Sequence, residues 1–145
     1  MLALCLTGCQ TVSKSSPFNL SEPGWRLQQG QALWRSKKEA PEIAGEIVLA
    51  TNANGRAFVQ FLKNPLPLVT AEIGPLGWHV EFIPKKRSFS GRGRPPGQLI
   101  WLQLLRGLEQ GMLPRYFQFS KAPDGGTHIE NNRTGESITL FLNDG

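Results

Sequence analysis

The residues of this chain whose types and spacing bear on chemistry are few, and the most specific stand near its N-terminus. An apolar run from Met1 ends in Leu6-Thr7-Gly8-Cys9 and is followed by the polar Gln10. Small residues before a cysteine let a peptidase approach the backbone, and a free thiol there can take a diacylglyceryl group. The stretch therefore has the spacing of a bacterial lipobox. Residues 1–8 would be a signal segment, and Cys9 the lipid-attachment residue, carrying acyl chains of the palmitate type. The rival reading is an ordinary apolar N-terminus with a chance Gly-Cys: no Lys or Arg precedes Leu2, and 8 residues are short for the apolar region of a signal sequence. The lipobox reading accordingly expects the true start upstream of Met1. With Cys5 removed and Cys9 acylated, the rest of the chain holds no cysteine, so no disulfide is expected.

Other reactive residue types are sparse. His79 and His128 are the only histidines, each with a glutamate two residues on, Glu81 and Glu130. In a strand, residues i and i+2 share a face, so each pair could act as general acid and base, but any solvated strand face looks the same. There is no Gly-x-Ser-x-Gly elbow, phosphate-binding loop or metal-ligand spacing, and the chain is expected to be neither an enzyme nor the holder of a cofactor or metal. Arg92-Gly93-Arg94-Pro95 contains the Arg-Gly-Arg-Pro core of a minor-groove arm, with Lys85-Lys86-Arg87 just before it. Only four residues match, and a lipidated cysteine would hold the chain away from DNA. The stretch is better read as a solvated basic loop facing anionic lipid, and no nucleic-acid partner is expected. Asn132-Arg133-Thr134 fits a glycosylation acceptor but more simply marks a turn. The four tryptophans, Trp25, Trp34, Trp78 and Trp101, are read as packing residues before ligand walls.

The elements that must carry these residues are mostly strands. The chain has 145 residues, one domain's worth, with 16 Lys plus Arg against 11 Asp plus Glu for a net charge of +5. Its 16 Gly and 11 Pro punctuate short β-branched and aromatic runs. No apolar run reaches the roughly 20 residues a spanning helix needs. Strands are expected at 25–35, 43–51, 57–61, 69–73, 77–83, 115–120, 127–132 and 136–142, with a short charged edge strand at 87–91. Asn54-Gly55 is the strongest hairpin signal and calls for a type I′ turn. One helix is expected over 98–110, opened by Pro95-Pro96-Gly97 and closed by Gly111 and Pro114. Its apolar residues run nearly all round, so its first half must be covered on every side. Residues 9–23 read as the lipidated cysteine and a Ser-rich flexible tether, and residues 24–145 as a single domain.

Alternation gathers a set of apolar residues. Trp78, Val80 and Phe82 share one strand face, Ile138, Leu140 and Leu142 another, and Phe117 and Phe119 a third. On the helix, Trp101, Leu104, Leu105 and Leu108 recur at helical spacing. A curved sheet would bring these groups to its concave side, where they would line either an acyl-binding cavity or a solid core.

The order of elements resembles a known family. A lipobox, a tether, antiparallel strands broken by Gly74-Pro75-Leu76-Gly77, and the helical segment 99–114 are similar to the lipoprotein-localisation (LolA/LolB) proteins. The resemblance implies a mainly β fold: a curved antiparallel sheet, or half-barrel, covered by helix. It also implies a membrane-anchored lipoprotein that binds or positions acyl chains of lipoprotein or lipid cargo, received from a soluble carrier protein. Gln10 after the cysteine would sort such a protein to the outer membrane. In that family a loop between early strands touches the bilayer, and by position Leu66 and Leu68, in Asn64-Pro65-Leu66-Pro67-Leu68, are the candidate membrane-contact residues here, with a proline-bounded turn whose leucines fold back onto the core as the equal alternative. The competing expectation is a structural or adaptor envelope lipoprotein whose sheet is filled by its own side chains and which carries no cargo.

Overall fold

The structure, a computed structural model, describes residues 22–110 and 113–143. The signal segment, Cys9, the tether as far as Ser21, and Gly111 and Met112 lie outside the described residues. Nine strands and one helix follow in the order β1 (Trp25–Arg35), β2 (Ile43–Asn52), β3 (Ala57–Lys63), β4 (Leu66–Gly74), β5 (Gly77–Phe82), β6 (Arg87–Gly91), α1 (Ile100–Gln110), β7 (Phe117–Lys121), β8 (Thr127–Asn131) and β9 (Ser137–Asn143). They form one antiparallel sheet in the order β6-β5-β4-β3-β2-β1-β9-β8-β7. Six strands meander outward from β1, α1 carries the chain across, and three strands return to close against the other side of β1. The turns after β1, β3, β5 and β8 therefore share one end of the sheet, called here the near end. Those after β2, β4 and β7 share the far end.

The sheet is strongly curved and open. β1 and β5 are four strand spacings apart, about 19 Å in a flat sheet. Yet Trp34 of β1 and Phe82 of β5 stack with ring centroids 6.3 Å apart. The strands between must curl, and the small residues Gly30, Ala32, Gly45 and Ala71 on the concave side make room for that. At Gly45 a Cβ would stand 2.8 Å from the Phe61 ring, so only glycine lets that ring lie across β2.

Helix α1 packs on the concave side against β3, β4 and β5. Every residue from Ile100 to Leu105 is at most 1 % exposed, as the all-round apolar pattern requires. It begins two residues later than its sequence signal, because Leu99 N–H donates to Pro96 O in the approaching turn.

Two local expectations change. The β2–β3 connection is not a type I′ turn: Gly55 alone has positive φ, at 86°, and Gly55 N–H donates to Asn52 O. Asn52 Oδ1 accepts from Asn54 N–H and Asn54 Oδ1 from Arg56 N–H, so the asparagines fold a three-residue loop with glycine in the left-handed position. Residues 66–68, expected in a loop, belong to β4. Pro67 enters the sheet opposite Leu62, where the β3–β4 register shifts after Phe61, and the irregularity accommodates the missing N–H.

Candidate functional site

The concave face is a continuous apolar surface. Ala57, Val59 and Phe61 of β3, Val69 and Ala71 of β4, Val80 of β5, Ile47 and Leu49 of β2, Ile138 and Leu140 of β9 and Ile129 of β8 join one buried cluster with α1. Its near end is packed with rings. Phe61 stacks on Trp101 at 5.2 Å, and Trp34 meets Trp101 edge-on at 5.6 Å and Phe61 at 6.2 Å. Such contacts add about 0.5–1.5 kcal/mol each beyond the area they bury.

The residues proposed from alternation to line a cavity fall into two groups. Val80, Trp101, Leu104, Leu105, Ile138 and Leu140 are at most 2 % exposed and Phe117 is 6 % exposed, all within the core cluster, with Trp78 and Phe82 half-buried against it. In this conformation their side chains touch the protein's own core. Leu108 and Phe119 differ, at 38 % and 41 % exposed. They flank the C-terminal half of α1, where a Cβ on Gly107 would lie 3.0 Å from the Phe119 ring. Edge strand β7 has no further strand beyond it among the described residues, so Phe119 lies at an open rim of the half-barrel.

Polar groups buried here were less legible in the sequence. Trp34 Nε1 donates to Glu136 Oε2 at 3.1 Å. Burial pushes the Glu136 carboxyl up to about 7, against the smaller opposing effect of that hydrogen bond. Gln103, fully buried, donates through Nε2 to Pro96 O, while its Oε1 and Trp101 Nε1 have no partner among the described residues. Two unpartnered polar atoms on one helix, from side chains only two residues apart, are costly in a dry core.

The loop assignment needs correction at one residue. Leu66 is 65 % exposed at the start of β4, but Leu68 is half-buried and packs against the core. Leu68 is the extra residue on β4 where the β3–β4 register shifts, between Pro67 opposite Leu62 and Val69 opposite Phe61, so simple alternation does not carry through it, while Leu66 stands at the near-end turn.

The histidines find other partners than those two residues away. His79 of β5 stands directly opposite Glu72 of β4. Burial raises the Glu72 carboxyl, while His79 and Arg56 pull it back down. With Trp78 and the β4–β5 turn these residues border an open cleft of about 500 Å³ at the far end. His128 Nδ1 lies 2.8 Å from Thr139 Oγ1. Cross-strand pairing, which depends on register, was the missing information. No group of three or more His, Cys, Asp or Glu able to hold a metal occurs among the described residues. The basic stretch does not form one lipid-facing loop as expected: strand β6 separates Lys85, Lys86 and Arg87 at the near end from Arg92, exposed with Arg94 on the segment that follows its far end. Residues 132–134 form the β8–β9 turn, where Arg133 lies over the Tyr116 ring at 4.3 Å. Compared with known protein families and with curated proteins, the chain matches none.

Proposed function

We propose that this protein is a lipid-anchored lipoprotein of the bacterial outer membrane, held through Cys9, whose half-barrel binds or positions the acyl chains of lipoprotein or lipid cargo handed over by a soluble carrier. The observation that supports it best is the apolar concave face closed by one helix whose C-terminal half stays open at Leu108 and Phe119. An acyl chain entering there would slide between α1 and β7 and replace solvent on two exposed apolar side chains, each methylene contributing about 0.8 kcal/mol. Leu66 at the near end is the residue of the pair Leu66 and Leu68 that remains free to touch a bilayer.

The full chain carrying Cys9→Ser should bind a fluorescent fatty acid at micromolar concentration with quenching of tryptophan emission. Phe119→Asp should abolish that binding while the melting temperature changes little, since the side chain is already at the surface. Absence of binding by the parent chain would overturn the acyl-binding reading. A second reading, a structural or adaptor lipoprotein with a filled core and no cargo, is favoured by the ring packing of Trp34, Phe61 and Trp101. That reading expects no fatty acid to bind.

A further inference from the structure

Hairpin alternation brings two sequence-distant turns together at the near end. The β3–β4 turn carries Lys63 and Leu66, and the β5–β6 turn carries Lys85 and Lys86, followed by Arg87 at the start of β6. The turns are neighbours because β4 and β5 stay paired up to this end, where Ile83 N–H donates to Leu68 O at 3.0 Å. All four cations are exposed, and none makes an ion pair among the described residues. The sequence holds no Asp or Glu from 82 to 108, and on β2 and β5 Glu46 and Glu81 stand on the convex strand faces, turned away from the buried Ile47 and Val80. The β1–β2 turn at this end is different: Lys37 and Lys38 are offset by Glu39 and Glu42, and Glu42 is paired with Arg35 at 2.7 Å. The excess of positive charge thus sits on the β3–β6 side of the near end, around the most exposed leucine of that end, Leu66.

We infer that this cluster is the face on which the domain rests against an anionic phospholipid bilayer. Lys63, Lys85, Lys86 and Arg87 engage headgroup phosphates, and Leu66 stands among them at the level of the interface. Charge complementarity favours a lipid surface because four exposed cations on two neighbouring turns spread positive charge around an exposed leucine. Exposed cations close to such a surface each add about fivefold to binding, and the attraction is screened by salt. The inference rests on the membrane location proposed above, but it concerns which way the domain faces and is independent of any cargo.

The full chain with Cys9→Ser, mixed with phosphatidylcholine vesicles with and without phosphatidylglycerol, separates the possibilities. It should sediment with the phosphatidylglycerol vesicles and be released by added salt. The triple variant K85Q/K86Q/R87Q should lose on the order of 100-fold in partitioning. Lys63→Gln alone should lose about fivefold and serves as the second variant should the triple one fold poorly. The charge-matched control R26Q/R92Q/K121Q removes three exposed cations at the far end and should stay within about threefold of the parent. Equal losses in the two triple variants would mean a diffuse effect of net charge and would overturn the inference, as would binding indifferent to phosphatidylglycerol. Fatty-acid binding by the same chain reads the acyl-binding proposal separately, so the failure of one is distinguishable from the failure of the other.

Discussion

Residues 100–105 of α1 are at most 1 % exposed, whereas Leu108, two turns on from Trp101, is 38 % exposed. The first half reads Ile-Trp-Leu-Gln-Leu-Leu and the second Arg-Gly-Leu-Glu-Gln, in which Leu108 is the one large apolar residue, and the two halves also differ in what they meet. The first half lies over β3, β4 and β5, with Trp101 against the rings of Trp34 and Phe61. The second reaches beyond them toward β7, a strand of five residues with only Phe117 buried. A helix clamped at one end and loosely covered at the other can admit a guest by local adjustment while the fold persists. The first half is therefore structural, and the second is where the proposed acyl chain would enter.

The largest effect should come from the clamped half. Trp101→Ala removes the ring that both Phe61 and Trp34 pack on, and should cost about 3–5 kcal/mol in denaturant unfolding. Leu108→Ala should cost under about 1 kcal/mol, since much of that side chain is already in water. Equal losses at the two positions would mean that the halves are not different in kind.

Next in size is the buried carboxyl beneath Trp34. Glu136 binds its proton more tightly in the folded state, with a pKa of about 7 against an ordinary 4.5. Between those values the native state holds more protons than the unfolded chain, so stability is full below about pH 4.5 and falls as pH rises through 7. The loss is on the order of 3 kcal/mol. Glu136→Gln keeps an acceptor for Trp34 Nε1 and should flatten this part of the pH–stability profile, leaving the smaller contribution of Glu72, which has the same sign.

Gly107 tests the loose half from the other direction. Its Cβ would lie 3.0 Å from Phe119 and 3.2 Å from Leu113, so Gly107→Val should press the rim outward. The expected result is a change of about 1–2 kcal/mol in stability and a clear loss of fatty-acid affinity. Smallest of all, Leu66→Glu should leave the melting temperature unchanged and weaken vesicle binding, while Leu68→Glu should lower the melting temperature by placing a charge against the core.

How much of this the sequence contained depends on the range of the interaction. Period-two alternation placed Trp78, Val80 and Phe82 on one face, and the all-round apolar pattern of 100–105 announced a helix covered on every side, because both are local properties of the chain. The partner of His79 was not local: it is Glu72, set by the β4–β5 register, and not Glu81 two residues away. Pro67 argued for a loop, since proline rarely enters a sheet, and only the register shift beside Phe61 explains its place in β4. The Trp34–Glu136 bond spans 102 residues and left no trace in composition or spacing. Phe61, the central ring of the core, had the signal of Ala57, Val59 and Phe61 at alternate positions, but its importance follows from Gly45 on the neighbouring strand making room for it.

The most direct measurement of the central claim is native mass spectrometry of the full chain expressed in a bacterial host and purified gently from its membranes. The expected result is a protein whose mass shows processing before Cys9 and diacylglyceryl and acyl groups on that residue, together with a fraction carrying one noncovalent lipid that is lost in Phe119→Asp. An unmodified Cys9 would contradict the anchor, and a lipidated protein with no associated lipid in either form would assign the half-barrel to an adaptor with a filled core.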